Sequence, residues 1–205
     1  MSRIYIILAL VLVLLAGGLL FLPASQWSTE LEPEVLFKEI NDPARFVTVD
    51  YVAERLINED PAIMLVDVRP TDEAGAFTLP AAVNIPIAEI NRPEWRDYLD
   101  QNQMDVVFYS NGDLSADQAW ILCTRKGYKN LYVMSGGLNE WFSTIMQPVE
   151  PPATASSSEF EKYAFRKAAS FYFGGGAKEA QSGNTSEEPV ILVKRKKKSA
   201  AEGGC

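Results

Sequence analysis

Apolar residues in this chain form one long run, followed by several short runs that alternate with polar stretches. The long run, IYIILALVLVLLAGGLLFL at residues 4–22, carries no charge and has about the length needed to cross a bilayer core. Arg3 precedes it and acidic residues follow it, which places the rest of the chain outside the cytoplasm. We therefore predict a transmembrane anchor at 4–22, with a cleaved signal peptide as the alternative.

The short runs predict alternating strands and helices in the middle of the chain. Strands are predicted at 64–68, 82–85, 105–109 and 131–134, and helices at 51–57, 90–99, 115–126 and 138–145. Helices that alternate with short strands rich in Val, Ile and Leu indicate an α/β domain. We expect a parallel sheet with helices on both faces.

The remaining segments set the domain boundaries. A polar lead-in at 23–45 precedes the domain at 46–148, and a Pro- and Ser-rich linker follows at 149–158. Residues 159–173 carry aromatic side chains at helical spacing, which predicts a short amphipathic helix. Its mixed charges favour docking on protein rather than on a membrane. Residues 174–205 predict a disordered basic tail that ends in a cysteine.

The composition excludes several kinds of chemistry. The chain has no histidine, which removes the usual general base and the commonest metal ligand. Its two cysteines, Cys123 and Cys205, are too few for a zinc cage or a disulfide framework. The net charge of −8 argues against nucleic acid binding, because phosphate contacts need a basic face. We therefore predict no metal, no cofactor and no nucleic acid partner.

Two blocks of sequence resemble the rhodanese-like family. The first, LVDVRPTDEAGAFTLPAAVNIP, contains Asp-Val-Arg at 67–69, then Glu73, Pro80 and Asn-Ile-Pro at 84–86, with the spacing of that family. The second, YSNGDLSADQAWILCTRKGYKNLYVMSGGLNEW, keeps the strand, loop and helix and a Gly-Gly turn before the last helix. Together they cover about residues 46–148, so the resemblance implies a single rhodanese-like domain.

The resemblance also implies which residues should do the chemistry, and here the sequence departs from the family. Rhodaneses that transfer sulfur carry a cysteine as the first loop residue, where it holds a persulfide; this chain has Ser110 there, and Ser115 where an arginine is common. A serine hydroxyl without a neighbouring base is a poor nucleophile. Asp113 adds a negative charge that opposes anion binding at the helix N-terminus. Phosphatases of this fold need the same cysteine and arginine.

The candidate ligand site therefore consists of the loop and one arginine: Ser110, Asn111, Gly112, Asp113, Leu114, Ser115 and Arg69. We expect a structural or capping role for Ser110. We expect Arg69 and Glu73 to fix the loop after the first strand, with ligand contact by Arg69 as the alternative. Cys123 lies in a helix and is predicted to be a small core residue.

Three functions remain open. The leading hypothesis is a membrane-anchored, non-catalytic domain in the bacterial periplasm or on the cell exterior, which acts as a binding or scaffolding module for a protein partner in a setting such as sulfur trafficking. The second is a sulfurtransferase or persulfide carrier that uses Cys205. The third is a sensor of small anions, such as a sulfur-containing anion or phosphate, held by the loop amides. The basic run at 194–198 is expected to contact anionic lipids, to dock on the acidic domain, or to remain solvated and keep the chain soluble.

Overall fold

The computed structural model describes residues 3–20 and 30–175. Its centre is a sheet of five parallel strands: β1 (Phe46–Val47), β2 (Ile63–Asp67), β3 (Val83–Asn84), β4 (Asp105–Tyr109) and β5 (Leu131–Met134). The strand order is β1-β5-β4-β2-β3, so the longest strands, β2 and β4, lie side by side near the middle. Helices cover both faces, and the predicted α/β class with a parallel sheet is confirmed.

The described helices lie before, between and after the strands along the chain. They are α1 (Arg3–Leu20), α2 (Pro33–Ile40), α3 (Val49–Ile57), α4 (Thr71–Ala76), α5 (Arg96–Leu99), α6 (Asp113–Arg125), α7 (Gly137–Glu140) and α8 (Ser157–Tyr172). A π-helical segment, Trp141–Met146, continues α7, and single 3-10 turns occur at Pro43–Arg45, Ile87–Glu89 and Pro93–Trp95.

Successive residues of a strand point to opposite faces of the sheet. Helices cover both faces, so both sets of side chains are buried. Val66 and Phe108 pack towards α5 and α6, where Trp120 joins the same cluster. Leu65 and Val107 pack towards α3, α7 and α8. The sequences of β2 and β4 are therefore continuous apolar runs and do not alternate between apolar and polar residues.

Some element boundaries differ from the predictions. The helix predicted at 90–99 is a 3-10 turn followed by the four-residue α5, because Pro93 lacks an N–H and restricts the residue before it. The helix predicted at 115–126 begins two residues earlier, at Asp113. The short β1 and α4 were not predicted, since two to six residues give too little periodicity to recognise.

The predicted anchor at 4–22 overlaps α1 (Arg3–Leu20) over residues 4–20. Among residues 3–20 and 30–175, no helix is both long and apolar enough to cross a membrane. The transmembrane span at 4–22, whose last two residues lie outside the described ranges, is therefore not supported. The extracytoplasmic location stays a prediction.

The last described helix, α8, packs against the body of the domain. Arg166 donates to both carboxylate oxygens of Asp50 on α3, at 2.7 Å each, and Lys162 lies 3.4 Å from the same carboxylate. The Ser170 hydroxyl donates to the carbonyl of Met146 at 3.0 Å. α8 is thus part of the folded body, although it follows a linker-like sequence.

The ion pair between Asp50 and Arg166 should stabilise the fold in a pH-dependent manner. Burial raises the pKa of Asp50, but the hydrogen bonds and charge of Arg166 outweigh burial and hold that pKa below its ordinary value. A lowered pKa in the folded state means that the contribution is present above the unfolded pKa and is lost as the pH falls through the folded pKa. We expect Asp50→Asn to lower the free energy of unfolding at pH 7 by about 1–3 kcal/mol, with urea denaturation as the measurement.

A matched control is Glu94→Gln, because the ion pair of Glu94 with Arg92 is long and exposed. It should change the free energy of unfolding by about 0.5 kcal/mol or less. The gap between wild type and Asp50→Asn should narrow below about pH 4. Equal losses for both variants, or a gap that does not change with pH, would contradict the assignment.

Candidate functional site

The candidate site lies where β4 meets α6, at the carboxyl edge of the parallel sheet. Ligands of open α/β sheets commonly bind at this edge, outside the strand ends. β4 ends at Tyr109 and α6 begins at Asp113, so Ser110, Asn111 and Gly112 alone form the connection. The side chain of Leu114, in the first turn of α6, is 72% exposed, and that of Ser115 is partly buried.

The Ser110 hydroxyl is directed into the protein. Ser110 is only 6% exposed, and its Oγ donates to the carbonyl of Gly112 at 3.2 Å. The backbone carbonyl of Ser110 accepts a hydrogen bond from the N–H of Leu138 at 2.9 Å. The residue at the nucleophile position therefore caps its own loop, and its hydroxyl proton is already donated.

The loop is clamped by α7. The carbonyl of Asn111 accepts from the N–H of Asn139 at 3.0 Å. Gly137 has a φ of +55°, and a Cβ at this position would lie 2.5 Å from the carbonyl oxygen of Ser110 and 2.9 Å from the nitrogen of Gly112. A residue without a side chain is needed there both for this approach and for the backbone conformation.

Arg69 is engaged in internal contacts. Its Nε and Nη2 donate to the two carboxylate oxygens of Asp67 at 2.9 and 2.6 Å. Nη2 also donates to the carbonyl of Phe77 at 2.5 Å, and Nη1 to the side-chain oxygen of Asn111 at 3.3 Å. The hydrogen bond to Asp67 raises the pKa of the guanidinium. The charge of Arg69 is thus neutralised by a buried carboxylate.

The other charges at the loop are negative. The side-chain amide of Asn111 donates to Glu73 at 2.7 Å, so Asn111 links Arg69 and Glu73. Asp113 accepts from the N–H of Gly136 at 2.6 Å. Because the Asp113 carboxylate lies in the first turn of α6, it offsets the positive end of the helix dipole that an anion would need.

Tyr109 was missed by the sequence analysis. Its side chain is fully buried; its hydroxyl lies 2.8 Å from that of Thr78 and accepts from the N–H of Leu79 at 3.1 Å. Burial raises the pKa of Tyr109 to about 12, so the phenol stays neutral. It fixes the 77–79 segment beside the loop. The available signal was a tyrosine at the end of an otherwise apolar strand, because a buried Tyr hydroxyl usually needs a partner.

The cysteines do not complete a catalytic site in the described part of the chain. Cys123 lies on α6 with 1% exposure, and burial raises the pKa of its thiol to about 12. A neutral, inaccessible thiol is not a nucleophile. Cys205 lies outside the described residues. Across residues 3–20 and 30–175, no three or more acidic or cysteine side chains converge to hold a metal ion.

The family model described as the rhodanese-like domain matches residues 48–144. This part of the chain is therefore a rhodanese-like domain, a fold shared with sulfurtransferases, and the resemblance seen in the sequence is confirmed at that level. The match ends within the π-helical segment that follows α7, so α8 lies beyond it.

One curated protein is similar in sequence to part of the chain. The centrosomal protein of 41 kDa from Xenopus tropicalis is 30% identical over 86 residues, which cover 39% of this chain and 24% of that protein. The chain thus spans about a quarter of the length of that relative.

Several solved structures are similar to parts of the chain. A human single-domain sulfurtransferase is 23% identical, with 49% of this chain and 96% of that chain covered and a TM-score of 0.40. A rhodanese-like domain from Anabaena is 17% identical, with 77% and 98% covered and a TM-score of 0.42. A protein from Rhodopseudomonas palustris, described as a possible tyrosine phosphatase, is 17% identical, with 54% and 88% covered and a TM-score of 0.46.

The close approach of Gly137 to the loop can be tested by adding one methyl group. Gly137→Ala should lower the free energy of unfolding by about 1–3 kcal/mol, because the Cβ meets backbone atoms and the positive φ is strained. Gly112→Ala is the control, since a Cβ there has no neighbour within 4 Å; it should change stability by about 0.5 kcal/mol or less. Thermal or urea unfolding measures both, and equal effects would show that the clamp is absent.

Proposed function

We propose that this chain carries a rhodanese-like domain that does not transfer sulfur and acts as a binding module for a protein partner. The observation that carries the proposal is the state of Ser110, which is 6% exposed and bonded to its own loop. A hydroxyl contains no sulfur and cannot form a persulfide, and its proton is already donated within the loop. With no histidine in the chain, it also lacks the base that usually activates a serine.

The cation of the site supports the same proposal. Arg69 contacts Asp67, Phe77 and Asn111, so most of its N–H groups already have partners inside the protein. Binding thiosulfate or phosphate through Arg69 would require breaking a buried charge pair, which costs several kcal/mol. The same electrostatics argue against the small-anion sensor.

The surface around the loop is suited to a protein partner. The exposed Leu114 lies at the start of α6, and Phe77 and Phe142 are 37% and 38% exposed with ring centroids 4.9 Å apart. The carboxylates of Glu73 and Asp113 lie beside the same loop. Apolar side chains surrounded by polar and charged groups are typical of protein interfaces. A role in sulfur trafficking would follow from the partner and stays a prediction.

Uptake of sulfur tests the absence of transfer chemistry. After incubation with thiosulfate, intact mass spectrometry of the wild type should show no added sulfur that cyanide releases. Ser110→Cys, in a Cys205→Ser background, should gain one sulfur atom because the loop then presents a thiol near a helix N-terminus. Adding Asp113→Asn should increase the yield, since it removes the carboxylate that repels the anion.

The matched control is Ser143→Cys in the same background, because Ser143 is exposed and lies outside the loop. It should gain no sulfur from thiosulfate. A wild-type protein that acquires cyanide-releasable sulfur would overturn the proposal. If that sulfur disappeared in Cys205→Ser, the carrier function of the tail thiol would replace it.

Direct titration distinguishes the sensor from the binding module. Isothermal calorimetry with thiosulfate, sulfite and phosphate should give no heat of binding at millimolar anion, since Asp113 and the paired Arg69 offer no net positive site. Saturable binding of any of these anions that Asp113→Asn strengthens would favour the sensor over the binding module.

A further inference from the structure

An apolar groove runs along the carboxyl-terminal end of α8. One part, of about 320 Å³, lies between Phe142 and Phe171; the other, of about 360 Å³, lies between Phe77 and Tyr172. The two parts share Met146. Phe142 lines one part and Phe77 the other, and their rings contact each other in a tilted arrangement. We call this surface, defined by Phe77, Phe142, Met146, Phe171 and Tyr172, the C-terminal groove.

The chain leaves the described structure inside this groove. Gly175, the last described residue, lines the part next to Phe142. A Cβ at Gly175 would lie 2.7 Å from the carbonyl oxygen of Met146, so its backbone is packed directly against the π-helical segment. The 30 residues that follow, 176–205, therefore start at the groove itself.

The sequence of these residues matches the groove in its apolar character. Val190-Ile191-Leu192-Val193 is an aliphatic run, and 14 residues, 176–189, separate it from Gly175. Fourteen residues can extend to about 46 Å, far more than is needed to return to the groove. A segment tethered this closely has an effective concentration in the millimolar range, so even a weak site is occupied.

The charges next to the groove match the residues that follow the aliphatic run. Glu73, Asp113 and Glu140 form an acidic rim around the loop: Glu73 contacts Asn111, and the backbone of Asn111 bonds to Asn139, the neighbour of Glu140. Within residues 3–20 and 30–175, none of these three carboxylates forms an ion pair.

The tail supplies the opposite charge directly after its apolar run. Residues 194–198 are Lys-Arg-Lys-Lys-Lys. Lys167 lies on the groove wall near Gly175. Its positive charge repels a basic segment at that end of the groove and so favours placement of the segment at the acidic rim. Opposite charges in this order would fix the register and direction of a docked segment.

We infer that residues 190–193 dock in the C-terminal groove and that the basic run at 194–198 lies along the acidic rim. The inference goes beyond the proposed function, because it holds whether or not the loop transfers sulfur. It differs from capture of a second copy or an external peptide in being intramolecular.

Paramagnetic relaxation in the full-length chain tests the contact. A nitroxide attached at Ser199→Cys, in a Cys205→Ser background, lies next to the basic run, and Cys123 is too buried to be labelled. We expect broadening of the backbone amides of Phe77, Phe142 and Glu140, and none on α2. Dilution should leave the broadening unchanged, because an intramolecular contact does not depend on concentration.

Two variants and one matched control decide the outcome. Replacing all four residues 190–193 with Ser, or Phe142→Ser in the groove, should abolish the selective broadening. Phe37→Ser should preserve it, since Phe37 is an exposed aromatic on α2. The tail variant leaves the folded body unchanged, so a loss there does not reflect unfolding. The inference is overturned by broadening that survives both variants, by uniform broadening over the surface, or by broadening that fades on dilution.

Discussion

The buried ion pair between Asp67 and Arg69 organises the carboxyl edge of the sheet. A charge removed from water is tolerated only when it is paired and hydrogen-bonded, and here the guanidinium meets both carboxylate oxygens and continues to Phe77 and Asn111. The side-chain amide of Asn84 donates to the carbonyls of both paired residues at 2.9 Å each. One pair therefore links the end of β2, the strand β3, the 77–79 segment and the loop after β4.

The contacts that hold the shape of the loop also engage its polar groups. The cation that would attract a sulfur-containing anion is paired, the Ser110 hydroxyl is donated to Gly112, and Asp113 occupies the N-terminal turn of α6. Each of these arrangements stabilises the loop, and each makes anion binding or nucleophilic attack less favourable. A loop built in this way keeps a defined surface, which is consistent with the proposed binding module.

The sequence predicts the sheet better than it predicts the site. The strands at 105–109 and 131–134 match the predicted ranges, because apolar runs buried on both faces are a strong signal. The sequence pattern contains no comparable signal for the direction of a side-chain hydrogen bond. Ser110 was predicted to lie in the loop, but the partner of its hydroxyl was not predicted. The pairing of Asp67 with Arg69 could have been inferred, since residues two apart at a strand end share a side.

The fold extends further along the chain than the family match does. The match ends at residue 144, yet Trp141 packs edge-on against Phe173, with ring centroids 5.0 Å apart, and Arg166 on α8 pairs with Asp50. Without α8, the apolar surface around Trp141 beside α3 would face water, at an unfavourable cost for each exposed ring. α8 is therefore needed to complete the core. Gly174 and Gly175, which follow α8, line the same cavity as Phe142, so the packing that completes the core also fixes the last described residues beside the π-helical segment.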